Sequence, residues 1–176
     1  MKYQITVKVY RHFAVPPGIS DDFSERDLIN TVFKEDFFMK AAIRYFTKSG
    51  NTKKLADAIE QELGIEAKEI TVPLEEKAEL LFLCNSVYWA GIDGKVKQFI
   101  SDNKSNIGTL VNVSTAALIE SSYPQVKKLC AQSGISVSNE EFHCKGSFKI
   151  MHRGKPDSSD ITTVRAFARK VAGDDK

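Results

Sequence analysis

The chain has little of what usually announces a function. It holds three cysteines in 176 residues, Cys84, Cys130 and Cys144. They are widely spaced and form no Cys-x-x-Cys, which argues against a disulfide framework and a thiolate metal site. No apolar run approaches the ~18 residues of a transmembrane helix. The amino terminus lacks the basic-then-apolar pattern of a secretory signal, so a reducing cytoplasm is the expected compartment. An excess of one charge is missing too: 25 basic residues face 23 acidic ones, for a net charge of +2. The basic residues form no long block, so nucleic-acid binding has little support. Neither G-x-x-x-x-G-K-[ST] nor G-x-G-x-x-G occurs, which weighs against Walker-type ATP or GTP binding and Rossmann-type NAD binding. His143 and His152 are too isolated to argue for a metal or a proton relay.

What is present reads as one ordinary globular domain. The chain is 42% hydrophobic and 27% charged, enough for a core of useful size. It divides near Met39. Residues 1–38 form an extension with one alternating stretch, Gln4–Tyr10, expected as a half-buried strand. A helical pattern follows from an N-cap at Ser24. The extension either docks on the domain or a partner, or is loosely held, or reflects an upstream start with the functional chain beginning at Met39. Residues 39–176 then alternate strand-like and helical runs. Ala41–Phe46, Ile65–Ile70, Leu80–Cys84, Gly108–Ser114 and a stretch within residues 135–148 are the five expected strands. Leu80–Cys84 shows no alternation, as suits a central strand buried on both faces. Helices are expected after Asn51, over residues 93–103, after Tyr123, and from a cap at Ser158 or Ser159, the last with Ile161, Val164, Phe167, Ala168 and Val171 as its buried stripe. Strands alternating with helices give an α/β, doubly wound, five-stranded parallel sheet in three layers.

Such a sheet binds ligands at the carboxyl ends of its strands, at the topological switch point. The loop there after the first strand is Thr47–Thr52, "TKSGNT". Thr47, Ser49 and Thr52 offer hydroxyls, Asn51 an amide, and Gly50 a close main-chain approach. A helix starting near Thr52 would present free N–H groups to an anion. Standing alone, the hexapeptide is a polar turn and a helix cap; at the first strand–helix junction it reads as a phosphate cradle. The next loop, "NSVYWAGIDG", sets Tyr88 beside Trp89, the only tryptophan. Either could stack on a planar ring. Cys144 and Cys84 read as small buried hydrophobes.

From these motifs, residues 39–173 resemble a short-chain flavodoxin-like protein, an FMN-binding fold. "TKSGNT" matches the family's T-x-[ST]-G-N-T at every defined position. Arg44 departs from the usual apolar strand residue. "NSVYWAGIDGKVKQFI" resembles the second FMN loop and its helix. "VNVSTAA" resembles the third, with alanine at positions 116 and 117 where related proteins often carry glycine. "FHCKGSFK" and "GKPDSSDITTVRAFARKVA" resemble the carboxyl-terminal part of a small subfamily.

The resemblance implies FMN as the cofactor. Thr47, Lys48, Ser49, Gly50, Asn51 and Thr52 would hold its phosphate. Asn85 and Ser86 would lie near the ribityl chain, and Tyr88 or Trp89 would stack on the isoalloxazine. The peptides of Ala90 and Gly91 would face flavin N5. Ser114, Thr115 and Ala116 would line the pyrimidine edge. No catalytic or metal-ligating residue is implied. The expected role is electron transfer with transient redox partner proteins, by a monomer or weak dimer that touches neither nucleic acid nor membrane. The alternatives are an NAD(P)H-dependent FMN or quinone reductase and a non-redox binding module on the same fold.

Overall fold

The computed structural model describes residues 40–88, 91–117 and 121–173. The strand and helix expected within residues 1–38, the Trp89–Ala90 pair and the start at Met39 lie outside the described residues. Among the described residues are four α-helices, one 3-10 turn (Lys104–Asn106) and seven strands. The strands are β1 (Ala41–Tyr45), β2 (Ala67–Glu69), β3 (Ala78–Tyr88), β4 (Gly91–Ile92), β5 (Ile107–Ala116), β6 (Ser136–Val137) and β7 (Phe142–Lys145). The helices are α1 (Asn51–Leu63), α2 (Gly94–Asp102), α3 (Tyr123–Ser133) and α4 (Ser158–Ala172).

The strands form one sheet in the order β2-β1-β3-β5-β6, with β7 pairing β5 and β4 pairing β3. All pairs are parallel except β3 with β4. Alternation along β3 sorts its side chains between two cores. Leu81 and Leu83 join Leu110 beneath α2 and α3, where Val96, Phe99, Ile100 and Val126 are buried. Leu80, Phe82 and Cys84 join Val111 and Val113 on the other face. There they meet Leu55 and Ile59 of α1 and Val164 and Ala168 of α4. Each large side chain so buried stabilises the fold by roughly 1.5–3 kcal/mol. The three-layer doubly wound arrangement expected from the sequence is the one observed.

Three details differ. The fifth strand is split. β6 pairs only Thr109 and Leu110, and β7 resumes on Val113–Ala116. Between them Ser138 turns the chain, accepting from Glu140 N at its hydroxyl and from the Tyr123 hydroxyl at its carbonyl. Second, β3 and β5 run further toward the ligand edge than expected, so Asn85, Ser86, Thr115 and Ala116 belong to strands and not to loops, and Ser114, expected as a strand end, lies inside β5. Third, α4 is capped by Asp157, not Ser158 or Ser159. The Asp157 carboxylate accepts from the N–H groups of Ser159 and Asp160, and the Asp160 carboxylate accepts from Asp157 N, a reciprocal capping box. A carboxylate also suits the positive end of the helix better than a hydroxyl.

Arg44 is 7% exposed in the middle of β1. Its guanidinium donates to the main-chain oxygens of Val72, Pro73 and Ile43 at 2.9, 2.9 and 3.0 Å. It fastens the turn after β2, which explains a cation at an otherwise apolar position. Burial lowers its pKa.

Candidate functional site

The helix after β1 covers one face of the sheet and the helix after β3 covers the other. The crevice between the carboxyl ends of β1 and β3 is therefore the switch point. It is bordered by residues 47–52 and by the β3–β4 hairpin.

The amino end of α1 has an unusual finish. The capping position is Gly50, at φ 81, and no side chain caps the helix. A serine, threonine or aspartate cap normally satisfies the first N–H groups; here the main chain turns in the left-handed region that favours glycine, and those donors face the crevice mouth. Hydroxyls surround them. Thr47 Oγ1 accepts from Gly50 N at 3.0 Å, which leaves its own proton to donate. Ser49 is exposed and its Oγ accepts from Asn51 Nδ2 at 3.1 Å. Thr52 is fully buried and shares one hydrogen bond with Thr115, Oγ1 to Oγ1 at 2.8 Å. That pair uses one of its two protons. Uncapped amides, three hydroxyls and a helix dipole make a donor-rich cradle suited to a phosphate dianion.

The cradle is tied to its surroundings from two sides. Asn51 Nδ2 also donates to Ser147 O at 2.7 Å, so this amide binds the turn after β7. Gly146 allows that approach: a Cβ there would lie 3.2 Å from Asn51 Nδ2 and 3.3 Å from Thr115 Cβ. On the other side Lys48 Nζ pairs with Asp93 Oδ2 at 2.7 Å. Asp93 also caps α2, accepting from Lys95 N at 3.0 Å.

The hydrogen bond from Lys48, then that from Lys95 N–H, holds the Asp93 carboxyl below its ordinary value. A depressed carboxyl stabilises the fold above its unfolded pKa of ~3.9, and loses that contribution as pH falls through the folded pKa. Asp93→Ala should therefore cost about 1 kcal/mol at neutral pH. Urea midpoints of the two proteins should converge as the pH falls below ~4.

The hairpin is short. Val87 pairs with Ile92 and Tyr88 with Gly91, and Gln125 of α3 accepts from Ile92 N at 2.9 Å. Tyr88 ends β3, and Gly91 begins β4 beside the Gln125 side chain. Ser86 is buried, its hydroxyl donating to Phe46 O at 3.2 Å. Asn85 is fully buried and turned into the sheet. Its Nδ2 donates to Asn112 Oδ1 at 2.8 Å, with Leu83 O and Val113 O at 3.3 and 3.4 Å, while its Oδ1 has no donor among the described residues. Asn112 Oδ1 also accepts from Ser122 Oγ at 3.0 Å, and its Nδ2 donates to Glu141 at 3.0 Å. Ser121 donates to the same Glu141 carboxylate. Ser114, fully buried, meets His143 Nδ1 at 3.1 Å. Thus Asn85 and Ser114 build a polar layer beneath the crevice, while main-chain groups at residues 86–88 and 114–116 reach its rim.

Asp93, Gln125, Gly146 and Ser147 frame the site. The sequence places Asp93 in the second ligand-edge loop and Gly146 and Ser147 in the turn after the fifth strand, but gives none of them a role. Asp93, expected inside the helix over residues 93–103, is its cap, and Gln125 is defined only by its contact with a distant element. The thiols take no part. Cys84, Cys130 and Cys144 are all free and buried. Burial raises each pKa, to about 11 for Cys130 and about 12 for Cys144. The folded protein should leave an aromatic disulfide reagent unreacted at mildly alkaline pH, and release three thiol equivalents only after denaturation. A cavity of about 160 Å³ opens at the opposite edge of the sheet, beside Arg44, Lys68 and Glu75.

Strand order, switch point and first-loop cradle together define a flavodoxin-like fold. Solved structures agree. A flavodoxin from the domain Archaea superposes with a TM-score of 0.62 at 16% identity, over 77% of this chain and 98% of that one. Flavodoxin 2 from Bacillus cereus, in its oxidised form, gives 0.59 at 16%, over 77% and 99%. The rubredoxin oxygen:oxidoreductase of Desulfovibrio gigas gives 0.59 at 12%, over 76% of this chain but 35% of that larger one. No protein-family model matches the chain, and no curated protein matches it in sequence. Among the described residues no helix is long and apolar enough to cross a membrane.

Proposed function

We propose that residues 39–176 bind FMN and that the protein is a cytoplasmic electron carrier serving transient redox partners. The observation that carries this reading is the uncapped amino end of α1, closed by Gly50 and ringed by Thr47, Ser49 and Thr52, at the switch point of the sheet. The likeness to solved flavodoxins supports it.

In this reading the main-chain N–H groups of residues 49–53 and the Thr47 hydroxyl hold the phosphate. Thr52 and Thr115 between them contribute one more proton from the buried wall. Lys48, already paired with Asp93, positions the loop and adds partial positive charge. Tyr88 or Trp89 covers the ring, main-chain groups near Ala90 and Gly91 face its central edge, and those of Ser114–Ala116 meet its pyrimidine edge. Bound FMN supplies one- and two-electron redox chemistry; the protein supplies binding, exclusion of water and tuning.

The test is an absorbance scan of purified protein with added FMN during stepwise anaerobic reduction. A carrier should show a yellow, tightly held chromophore that takes up its two electrons in separable steps. Absence of any bound chromophore would sink the flavin reading. Rapid bleaching by NAD(P)H, with turnover on a quinone, would transfer the protein to the reductases.

A further inference from the structure

Among the described residues the exposed large hydrophobic side chains are Phe148, Ile150 and Met151, at 40%, 78% and 37% exposure. All three stand in one turn. Main-chain hydrogen bonds in both directions join Phe148 to Met151, at 3.0 and 2.8 Å, so Lys149 and Ile150 form the tip of a small hairpin. Lys149 and His152 both hold left-handed backbone, at φ 53 and 50. That conformation costs a side-chain-bearing residue roughly 1–2 kcal/mol. The chain thus spends backbone strain to keep Ile150 in solvent, where an apolar residue gains nothing in the isolated domain.

The surroundings are basic. From Phe142 to Pro156 the sequence holds Lys145, Lys149, Arg153 and Lys155 and no acidic residue. Lys155 is engaged by Asp157 and Asp160. Lys145, Lys149 and Arg153 make no ion pair with any described residue. The tip stands on the ligand edge: Ser147 O accepts from Asn51, and His152 Nε2 lies 3.2 Å from Ala117 O.

We infer that the Phe148–Arg153 tip is a docking surface for a small, acidic electron-transfer protein. Its place beside the flavin rests on the function proposed above; its docking chemistry does not. An apolar centre with aromatic, methionine and arginine side chains is the composition of an interface core and not of ordinary surface. The cations Lys145, Lys149 and Arg153, without ion pairs among the described residues, call for carboxylates opposite. A second copy is disfavoured, because a two-fold contact through this patch would set like charges against each other. An anionic bilayer is broad and would also meet Asp157, exposed at the base of the loop, whereas a protein can place its carboxylates opposite the tip alone.

The test uses the full chain loaded with FMN and labelled with nitrogen-15, titrated with zinc-loaded rubredoxin as the acidic probe and with a basic cytochrome c as its counterpart. Rubredoxin should shift resonances of residues 145–154 and weaken as salt rises. Ile150→Asp, or Lys149→Glu with Arg153→Glu, should lower the affinity by about tenfold or more. Ile150→Asp should leave FMN affinity unchanged, so loss of docking and loss of flavin binding are read separately. If the chain does not bind FMN, the function above fails, and rubredoxin binding to the flavin-free chain still decides the docking. The inference is overturned if rubredoxin leaves the tip resonances unmoved, or if cytochrome c binds equally well. It is also overturned if tip-dependent binding appears only with phosphatidylserine–phosphatidylcholine vesicles or only as self-association.

Discussion

Ser49→Asp should weaken FMN binding by about a hundredfold or more while leaving the protein at least as stable as before. Ser49 is exposed and precedes the glycine that caps α1. An aspartate there can still accept from Asn51 Nδ2, as the serine hydroxyl does. Its charge lies at the positive end of the helix, worth roughly 0.3–1 kcal/mol to the free protein. The same charge occupies the field in which the proposed phosphate would sit, and like-charge juxtaposition in a binding site costs several kcal/mol, of which about 2.7 kcal/mol corresponds to the hundredfold loss. Stability and affinity therefore move in opposite directions, which a general disruption of the loop would not produce. Calorimetric titration with FMN and with riboflavin makes the comparison sharper. Riboflavin lacks the phosphate, so its weaker binding should be unaffected. Equal losses for both ligands, or none for FMN, would show that residues 47–52 do not hold a phosphate.

Phe82→Ala should remove roughly 3–5 kcal/mol of folding stability, a large share of the 5–15 kcal/mol of an ordinary domain. Phe82 is fully buried in β3, paired with Ile43 on one side and Val111 on the other. It belongs to the same core as Leu55 and Ile59 of α1 and Val164 of α4. Neither helix can follow a shrinking side chain without leaving its other partners, so truncation leaves a cavity. Urea unfolding measures the loss. A change below about 1 kcal/mol would mean that this core collapses around the gap or is not packed as described. FMN affinity of the folded fraction should be nearly unchanged, because Phe82 stands in mid-strand, away from the crevice rim.

Much of the fold was legible because its signals are local. Leu55, Ala58 and Ile59 keep helical spacing, Gly64 and Gly134 stop their helices, and an unbroken apolar run marks the central strand. The candidate cradle was legible for the same reason, since six consecutive residues hold most of its groups. The split fifth strand was not: two residues of pairing at Ser136–Val137 leave too short a pattern, and Ser138 turns through contacts made by α3. The reach of β3 and β5 toward the ligand edge was hidden because Asn85, Ser86 and Thr115 look like loop residues. They are strand residues whose polar groups find partners across the sheet. Asn51 points to the same limit. Its amide reaches Ser147, 96 positions away, and no window along the chain contains both. The tip at Phe148–Met151 has no periodicity at all; its exposure is visible only once the rest of the apolar side chains are seen to be buried.

The two buried asparagines have a consequence for how the chain finds its fold. The lower halves of β3 and β5 are apolar on both faces, so leucine and valine would pack acceptably in several alignments. Asn85 and Asn112 remove that freedom. A slide of β5 that brought Asn112 from its place opposite Leu83 to one beside Leu81 would part it from Asn85, Ser122 and Glu141 together. It would strand each amide in the apolar layer beneath α2, at about 1–3 kcal/mol apiece. The pair is an alignment key for the centre of the sheet. Because the two strands end at the crevice, that key also sets how far each carries its main chain toward the ligand.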